Sequence, residues 1–557
     1  MAPTGSAKVI INGGGIAGLV LANALSRQGI DFIVLEAGAD IAPCVGAGIC
    51  ILPSGARILD QLGMFDDLHD LGGEIQAQRI WRENGSLLGH TDSLKLLHIR
   101  QGCPMIFIER KILLQVLFDH LKEKDRIFLG KRIVGVDSSH SRVQVRCTDG
   151  SSYTGSIAVG ADGIHSTTRR EMWRHLEKDH VVGTSSVQNE EKTLSAQYSA
   201  VFGIATPTPN MVEGHVNRTF ANGYSFFNGV GKDERIFWFV FHDMGRKYQG
   251  LNIPRMNQSE IDQHVKPLLD NYVAGGVRFR DIYRNTVRCA HVPMEEGVFD
   301  RWVYQRFACI GDSVHKTTPN LGQGGNGAIE SAASLANKLG SIFSTKEVSD
   351  LPLAIIEDHL GTWAKSRMQR MKLLCEFGNG FTRLEAGKTF VHRLLGRLTA
   401  AYKGDTLADL LCETTVGAET LSFLPLPTKS LTGTMPFDKR RGMGASKGKY
   451  GPLMYCSALL LCILAIHFTM KPGSISPMGN RENNTHTGSD LEVKTWNFES
   501  NSSETLNHHT GSLGLWQSLQ LSDPTMAIFF FMDLAIFEVI WTIESIRSGN
   551  AMTLLNW

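Results

Sequence analysis

The sequence predicts an α/β chain in which a parallel-sheet domain is interleaved with a second, mixed β-sheet domain and followed by C-terminal apolar helices. Three observations carry this. A strand, glycine turn and helix open the chain in KVIINGGGIAGLVLANALSRQGIDFIVLEA. A second strand–glycine–helix run, RFACIGDSVHKTTPNLGQGGNGAIESAASLANKL, begins at Arg306, and the stretch between them contains strands rich in aromatic residues. The first pattern is Rossmann-like, and its distance from the second implies a domain assembled from separate parts of the chain.

With 557 residues the chain exceeds one ordinary core, so closely packed domains are expected. Lys and Arg total 56 against 55 Asp and Glu, a formal net charge of +1. That gives no basic field for a nucleic-acid backbone, and no nucleic-acid partner is expected. The cysteines show no Cys-x-x-Cys pair and no zinc spacing, so no metal site is expected and the thiols are read as reduced. The N-terminus runs straight into a strand, without a secretory pattern, which places the catalytic part on the cytosolic side.

Within the first run the apolar spacing predicts a strand over Val9 to Asn12, a helix from Ile16 to Leu25, and a strand over Phe32 to Leu35 closed by Glu36. Gly13, Gly15 and Gly18 match G-x-G-x-x-G. The first glycine permits the tight turn, the second lets the backbone approach a pyrophosphate, and the third lets helix and strand pack closely. The helix N-terminus receives the phosphates, and Glu36 is placed to accept hydrogen bonds from a ribose diol. This defines a dinucleotide site without choosing between NAD and FAD.

The second run predicts a strand over Phe307 to Ile310, then Gly311-Asp312, a loop with Pro319, four glycines and a helix from about Ala328. An acid after a strand suits the polyol part of a cofactor. A glycine-rich loop feeding a helix offers free N–H groups to a group that becomes negative, as a reduced flavin does at its N1/C2=O edge. A surface loop with an ordinary cap explains the glycines alone, but not Asp312, Pro319 and the glycine cluster together. A third stretch, IAVGADGIHSTTRR, closes another strand with Asp162-Gly163 and continues to Ser166 and Arg169.

In this order the three stretches resemble the flavoprotein monooxygenases of the p-hydroxybenzoate hydroxylase type, over roughly residues 8–400. The resemblance implies that one FAD joins them. Its ADP part lies on the first run, its ribityl and isoalloxazine on the Gly-Asp run, and Asp162 lies near both the FAD and NAD(P)H sites. It implies Glu36 as the ribose ligand, Asp312 as the ribityl contact and Gly325 as a backbone contact to the flavin. Arg110 in FIERKILLQVL matches the arginine that opens a helix and reaches FAD, and Gly48 in VGAGICILPSGARILDQLG matches the loop beside the flavin. Ser313 and Val314 replace the more common Ala-Ala, while Asp312 and His315 stay in place. His315 is read as a support for the loop.

The same loop, the Gly-Asp-Ser-Val-His-Lys variant and the apolar tail look most like the fungal membrane-associated epoxidases of indole-diterpene and meroterpenoid pathways. That implies NADPH as electron donor, O2, a flavin C4a-hydroperoxide, and oxygen transfer to a prenyl double bond of a hydrophobic substrate, with a separate terpene cyclase opening the epoxide. The alternatives are an aromatic hydroxylase sharing the FAD residues, a flavin reductase of prenyl chains, and a membrane scaffold that holds FAD without turnover.

The expected organisation is an FAD-binding first segment over 1–190 with some strands of the substrate sheet, the substrate sheet over 191–305, and a second FAD segment with helices over 306–400. GYSFFNGVGKDERIFWFVFH reads as two strands around a Gly/Asp turn. Its aromatic stripe suits an isoprenoid pocket, and equally suits any sheet core. Tyr224 is the candidate catalytic residue, a polar tip in an apolar wall. A linker with a basic flank covers 401–451. Pro452 to Met470 is apolar and long enough to span a bilayer, and a polar loop covers 471–525. Met526 to Ile543 is a second candidate span that carries Asp533 and Glu538. The expected location is a membrane, that of the endoplasmic reticulum, with the catalytic domain in the cytosol.

Overall fold

In the computed structural model, residues 4–437 are described, apart from 45, 47, 182, 345–351, 402–405 and 436. The chain separates into two units, Met1–Met443 and Gly444–Trp557, and all described residues fall in the first. The segments 452–470, 471–525 and 526–543 lie outside the described residues. Among the described residues no helix is long and apolar enough to cross a membrane.

Strands Ile127–Phe128, Phe32–Leu35, Thr4–Asn12, Ser152–Gly160 and Phe307–Cys309 lie side by side and parallel, and Val303–Tyr304 closes the edge antiparallel. Their near-continuous apolar character follows from burial on both faces. Helix Ile16–Arg27 covers one face together with helix Gln323–Phe343. The two helices come close because Gly340 leaves room for Gln28, whose Nε2 donates to Ala336 O at 3.0 Å.

The second large sheet is mostly antiparallel, in the order Thr286–Pro293, Ser195–Ala205, Ile236–Gln249, Tyr224–Val230, His215–Phe220, Ala77–Arg82, Leu87–Thr91. The predicted hairpin is its Tyr224–Val230 and Ile236–Gln249 pair. Its last two strands come from the first segment of sequence, so the chain crosses between the sheets several times. A small sheet of Gly48–Ile51, Met105–Glu109 and Gly73–Ile75 bridges them.

Helix Gln323–Phe343 starts five residues before the expected Ala328, so Gly324, Gly325 and Gly327 lie inside it. Glycine is a poor helix former, and close approach is what retains it here. A Cβ on Gly325 would lie 2.3 Å from Ile49 Cδ1, and one on Gly327 would lie 2.9 Å from Met371 Cε.

Behind this helix sits a buried ion cluster. Glu330 accepts from Arg367 at 3.0 Å and from Arg370 at 2.7 and 3.1 Å, and Arg370 also donates to the carbonyls of Thr414 and Val416. Burial alone would raise the Glu330 carboxyl, but Arg370 and Arg367 override it and hold it at about 2. This pinning of Gln323–Phe343 to helix Leu353–Glu385 is therefore present above the ordinary carboxylate pKa and is lost as the pH falls toward 2. Glu330→Gln leaves two guanidinium groups buried without their anion. It should cost about 3 kcal/mol of stability in urea unfolding at neutral pH, and its deficit relative to the native protein should shrink as the pH is lowered through 4.

Candidate functional site

The first glycine run is built by sterics. Gly13 has φ +110°, a conformation open to glycine, and its N–H donates to Leu35 O at 2.8 Å. A Cβ on Gly18 would lie 2.0 Å from Gly13 O, so any side chain there separates helix from strand. Gly15 is the N-cap of the helix and supplies no side-chain cap, which leaves the first-turn N–H groups open to a ligand. Glu36 is held at the end of its strand by two backbone donors, Gly14 N at 2.6 Å and Gly38 N at 2.7 Å. Arg110 opens helix Arg110–Asp119 and lies beside Gly15 and Gly46. Burial lowers its pKa, against the opposing pull of Asp312 and Glu36, and it has no hydrogen-bond partner among the described residues. An acid from each of the two runs thus acts on its charge.

The second run meets the first at Gly311, φ +63°, where a Cβ would lie 3.0 Å from Ala17 Cβ. Asp312 follows and accepts from Lys316 Nζ. Gly322, φ +67°, is the N-cap of the next helix, again with no side-chain cap. Around this second bare helix end, Thr317 Oγ1, Thr318 Oγ1 and Gln323 Oε1 are buried without partners. Asn12 Oδ1 is in the same condition at the end of the first strand. Two uncapped helix N-termini, glycines that exclude a Cβ and unsatisfied buried polar atoms fit an extended polar ligand with a pyrophosphate in its middle and a flat ring system at one end. FAD has that chemistry.

Asp162 is committed within the protein. It accepts from Ser166 Oγ at 2.5 Å, Thr168 N at 2.9 Å and Thr168 Oγ1 at 3.0 Å, and so fixes the start of helix Thr167–Lys178. Arg169 of that helix donates to Ser313 O and Ile164 O, and Ser313 Oγ donates to Gly160 O at 2.8 Å. The Asp162 stretch thus fastens the Asp312 run to the first sheet, and Arg169 is the fastening residue. Its place in the quoted stretch was visible in the sequence, but its partner was not. Gly48 lies where a Cβ would be 2.4 Å from Phe237 and 2.7 Å from Phe107, so it lets its loop lie against the second sheet. His315 contacts Ser331 Oγ at 2.9 Å. Burial, then Arg367, lowers its pKa to about 3, so it is neutral and braces the loop.

The second sheet has two different faces. Toward Gly48 and the Pro319–Gly322 loop it presents Tyr198, Phe202, Phe227, Phe239 and Phe241, which cluster with Phe107 and Phe237. One ion pair is set in this wall. Arg218 donates to Glu385, to Gln78 Oε1 at 3.1 Å and to Asn320 O at 3.0 Å, while Asn320 Nδ2 donates to Glu385. Its guanidinium lies 4.7 Å from the Phe227 ring centroid. Burial raises the Glu385 pKa against the pull of Arg218.

Tyr224, the candidate catalytic residue, belongs to the other face. It packs edge-on to Phe226 at 5.7 Å, beside a separate cluster of Trp238, Phe279 and Ile282. Its hydroxyl faces Glu83 and Asn271, and burial raises its pKa to about 12. Its strand neighbour His242 contacts His264 of helix Gln258–Val265, which covers this face. Side chains alternate along a strand, so Tyr224 and Phe226 point away from the face that carries Phe227.

Residues 6–352 match the FAD binding domain family, and the chain belongs to it. It is also similar to fungal FAD-dependent monooxygenases. It is 37% identical over 462 residues to FAD-dependent monooxygenase spyC of Aspergillus fumigatus, covering 82% of this chain and 96% of that one. It is 38% identical over 432 residues to olcE of Penicillium canescens, covering 77% and 92%. With anuJ of Penicillium roqueforti it shares 37% over 474 residues, spanning 83% of this chain and 58% of that longer relative. Among solved structures, Klebsiella pneumoniae HpxO complexed with FAD and uric acid superposes with a TM-score of 0.59 at 21% identity, over 73% of this chain and 96% of that one. The p-nitrophenol 4-monooxygenase PnpA of Pseudomonas putida gives 0.59 at 16%, over 73% and 98%. These two show the shared fold. The chain is a member of the FAD-dependent monooxygenases, and FAD is its cofactor.

Asp312→Ala removes a charged acceptor and should weaken FAD retention about tenfold or more, read from flavin absorbance of the purified protein. Tyr224→Phe should leave FAD content and turnover within about twofold of the native protein, because the hydroxyl lies behind the sheet.

Proposed function

We propose that this chain epoxidises a prenyl double bond of a terpenoid or meroterpenoid intermediate, with NADPH and O2 as co-substrates. The observation that carries this reading is the chemistry of the wall facing the flavin loop, a run of phenylalanines interrupted by an internally neutralised Arg218–Glu385 pair. Bound FAD supplies the redox chemistry, accepting two electrons from NADPH and activating O2 for transfer of one oxygen atom. An alkene supplies its own π electrons and loses no proton, so no residue has to hold one. What the chain contributes is position and dryness. Phe107, Phe227 and Phe239 hold an isoprenoid chain by apolar contact and exclude water. Arg218 fixes the Asn320 carbonyl, and with it the loop that leads into the Gln323 helix end. The uncapped N-terminus of that helix favours negative charge at the ring edge it meets.

The fungal relatives, by their names, are FAD-dependent monooxygenases, which agrees with oxygen insertion. The apolar sequence Pro452 to Met470 supports attachment to a membrane, where a prenylated substrate concentrates. An epoxide so formed would pass to a separate cyclase.

The test is NADPH oxidation by the full-length flavoprotein, with and without O2, across farnesylated aromatics and soluble phenols. Oxidation should be stimulated at least about tenfold by a prenylated compound and very little by a phenol. Stimulation by phenols alone, or substrate turnover without O2, would overturn the epoxidase reading.

A further inference from the structure

The apolar wall has a polar end. Tyr198, on strand Ser195–Ala205, belongs to the same buried cluster as Phe239 and Phe107, and it is 2% exposed. Its hydroxyl has no hydrogen-bond partner among the described residues. Nearby, Glu296 is equally withdrawn from solvent at 6% exposure. Its Oε1 accepts from Arg383 Nη2 at 3.2 Å, while its Oε2 is buried without a partner. Arg383 connects the two, with its guanidinium 5.8 Å from the Tyr198 ring centroid. It also belongs to the last turn of helix Leu353–Glu385, whose neighbouring residues Thr382 and Glu385 hold Asn320 of the flavin loop.

Burial leaves polar groups unpaired only against a free-energy penalty, so unpaired groups gathered at one place in a pocket mark where a ligand supplies partners. A lone buried phenol is a packing accident in many cores. A phenol and a carboxylate oxygen, both unpartnered and joined through one arginine at the edge of an aromatic wall, are a donor–acceptor set. Arg383 supplies the counter-charge to Glu296 through Oε1 and leaves Oε2 to accept a hydrogen bond.

We propose that Tyr198 and Glu296 bind the head group of the substrate, a ring that offers an O–H or N–H donor beside a carbonyl. The donor meets Glu296 Oε2 and the carbonyl accepts from the Tyr198 hydroxyl. The prenyl chain then extends over Phe239 and Phe227 toward the flavin loop. The distance from the head group selects the double bond that reaches the flavin. This assignment rests on the prenyl-substrate reading for the direction of the chain, and on the unpaired groups alone for the head.

The test titrates the oxidised full-length holoenzyme with two prenylated probes and follows the flavin absorbance change, so that no turnover is needed. One probe is a farnesylated aromatic ketone with a free hydroxyl next to the carbonyl, and the other is its methyl ether. The native protein should prefer the free hydroxyl about tenfold or more. Glu296→Gln should reduce that preference to about twofold with FAD content and ether affinity unchanged, while Tyr198→Phe, which removes the donor to the carbonyl that both probes carry, should weaken both about tenfold with FAD content unchanged. A preference that survives Glu296→Gln, or affinities for both probes that are unchanged in Tyr198→Phe, would overturn the proposal. So would an equal loss for both probes accompanied by loss of FAD, which marks a structural role. If Glu296→Gln fails to fold, Tyr198→Phe decides alone, since it removes one unpartnered oxygen. Oxygen found on the ring during turnover, with the binding preference intact, would overturn the prenyl reading and leave the head-group site standing.

Discussion

The structure depends on one close approach, that of the Gly311 turn to the helix that follows the first glycine run. The ends of a long cofactor have to be met by residues from opposite ends of the catalytic chain. Gly311 against Ala17 sets the distance, and Arg169 with Ser313 locks it through the Asp162 stretch. A side chain at any of these glycines would push the two halves apart. The glycines therefore act as spacers as much as ligands, and their helix or strand propensity is secondary to that role.

Buried charge is arranged with the same economy. Glu330 with Arg367 and Arg370 lies behind the flavin-side helix and resists its displacement. Arg218 with Glu385 lies where the second sheet meets the Pro319–Gly322 loop. Both pairs draw on helix Leu353–Glu385, through Arg367, Arg370 and Glu385. This helix thus ties the Gln323–Phe343 helix to the second sheet, and a break in it disturbs both.

Much of this was legible in the sequence. Strand Phe32–Leu35, the Gly13–Gly18 turn and the hairpin at Tyr224 carry strong local signals, and they form where the pattern puts them. The start of the Gln323 helix was misread because glycine argues against helix locally, and the approach of Ile49 and Met371 that demands it is tertiary. The side of the sheet that Tyr224 takes was not legible for a different reason. Strand alternation tells which residues share a face, but not what packs on it; helix Gln258–Val265 covers the side that carries Tyr224 and His242. The Tyr198–Arg383–Glu296 set joins residues far apart in the chain, and no spacing rule unites them.

We propose that the aromatic wall presents an alkene to the flavin. The direct measurement is turnover under isotopically labelled O2 with a farnesylated aromatic, followed by fragmentation of the product. One labelled oxygen atom is expected on the prenyl chain, as an epoxide or its hydrolysed diol. Label on the aromatic ring, or none in the product, would contradict it.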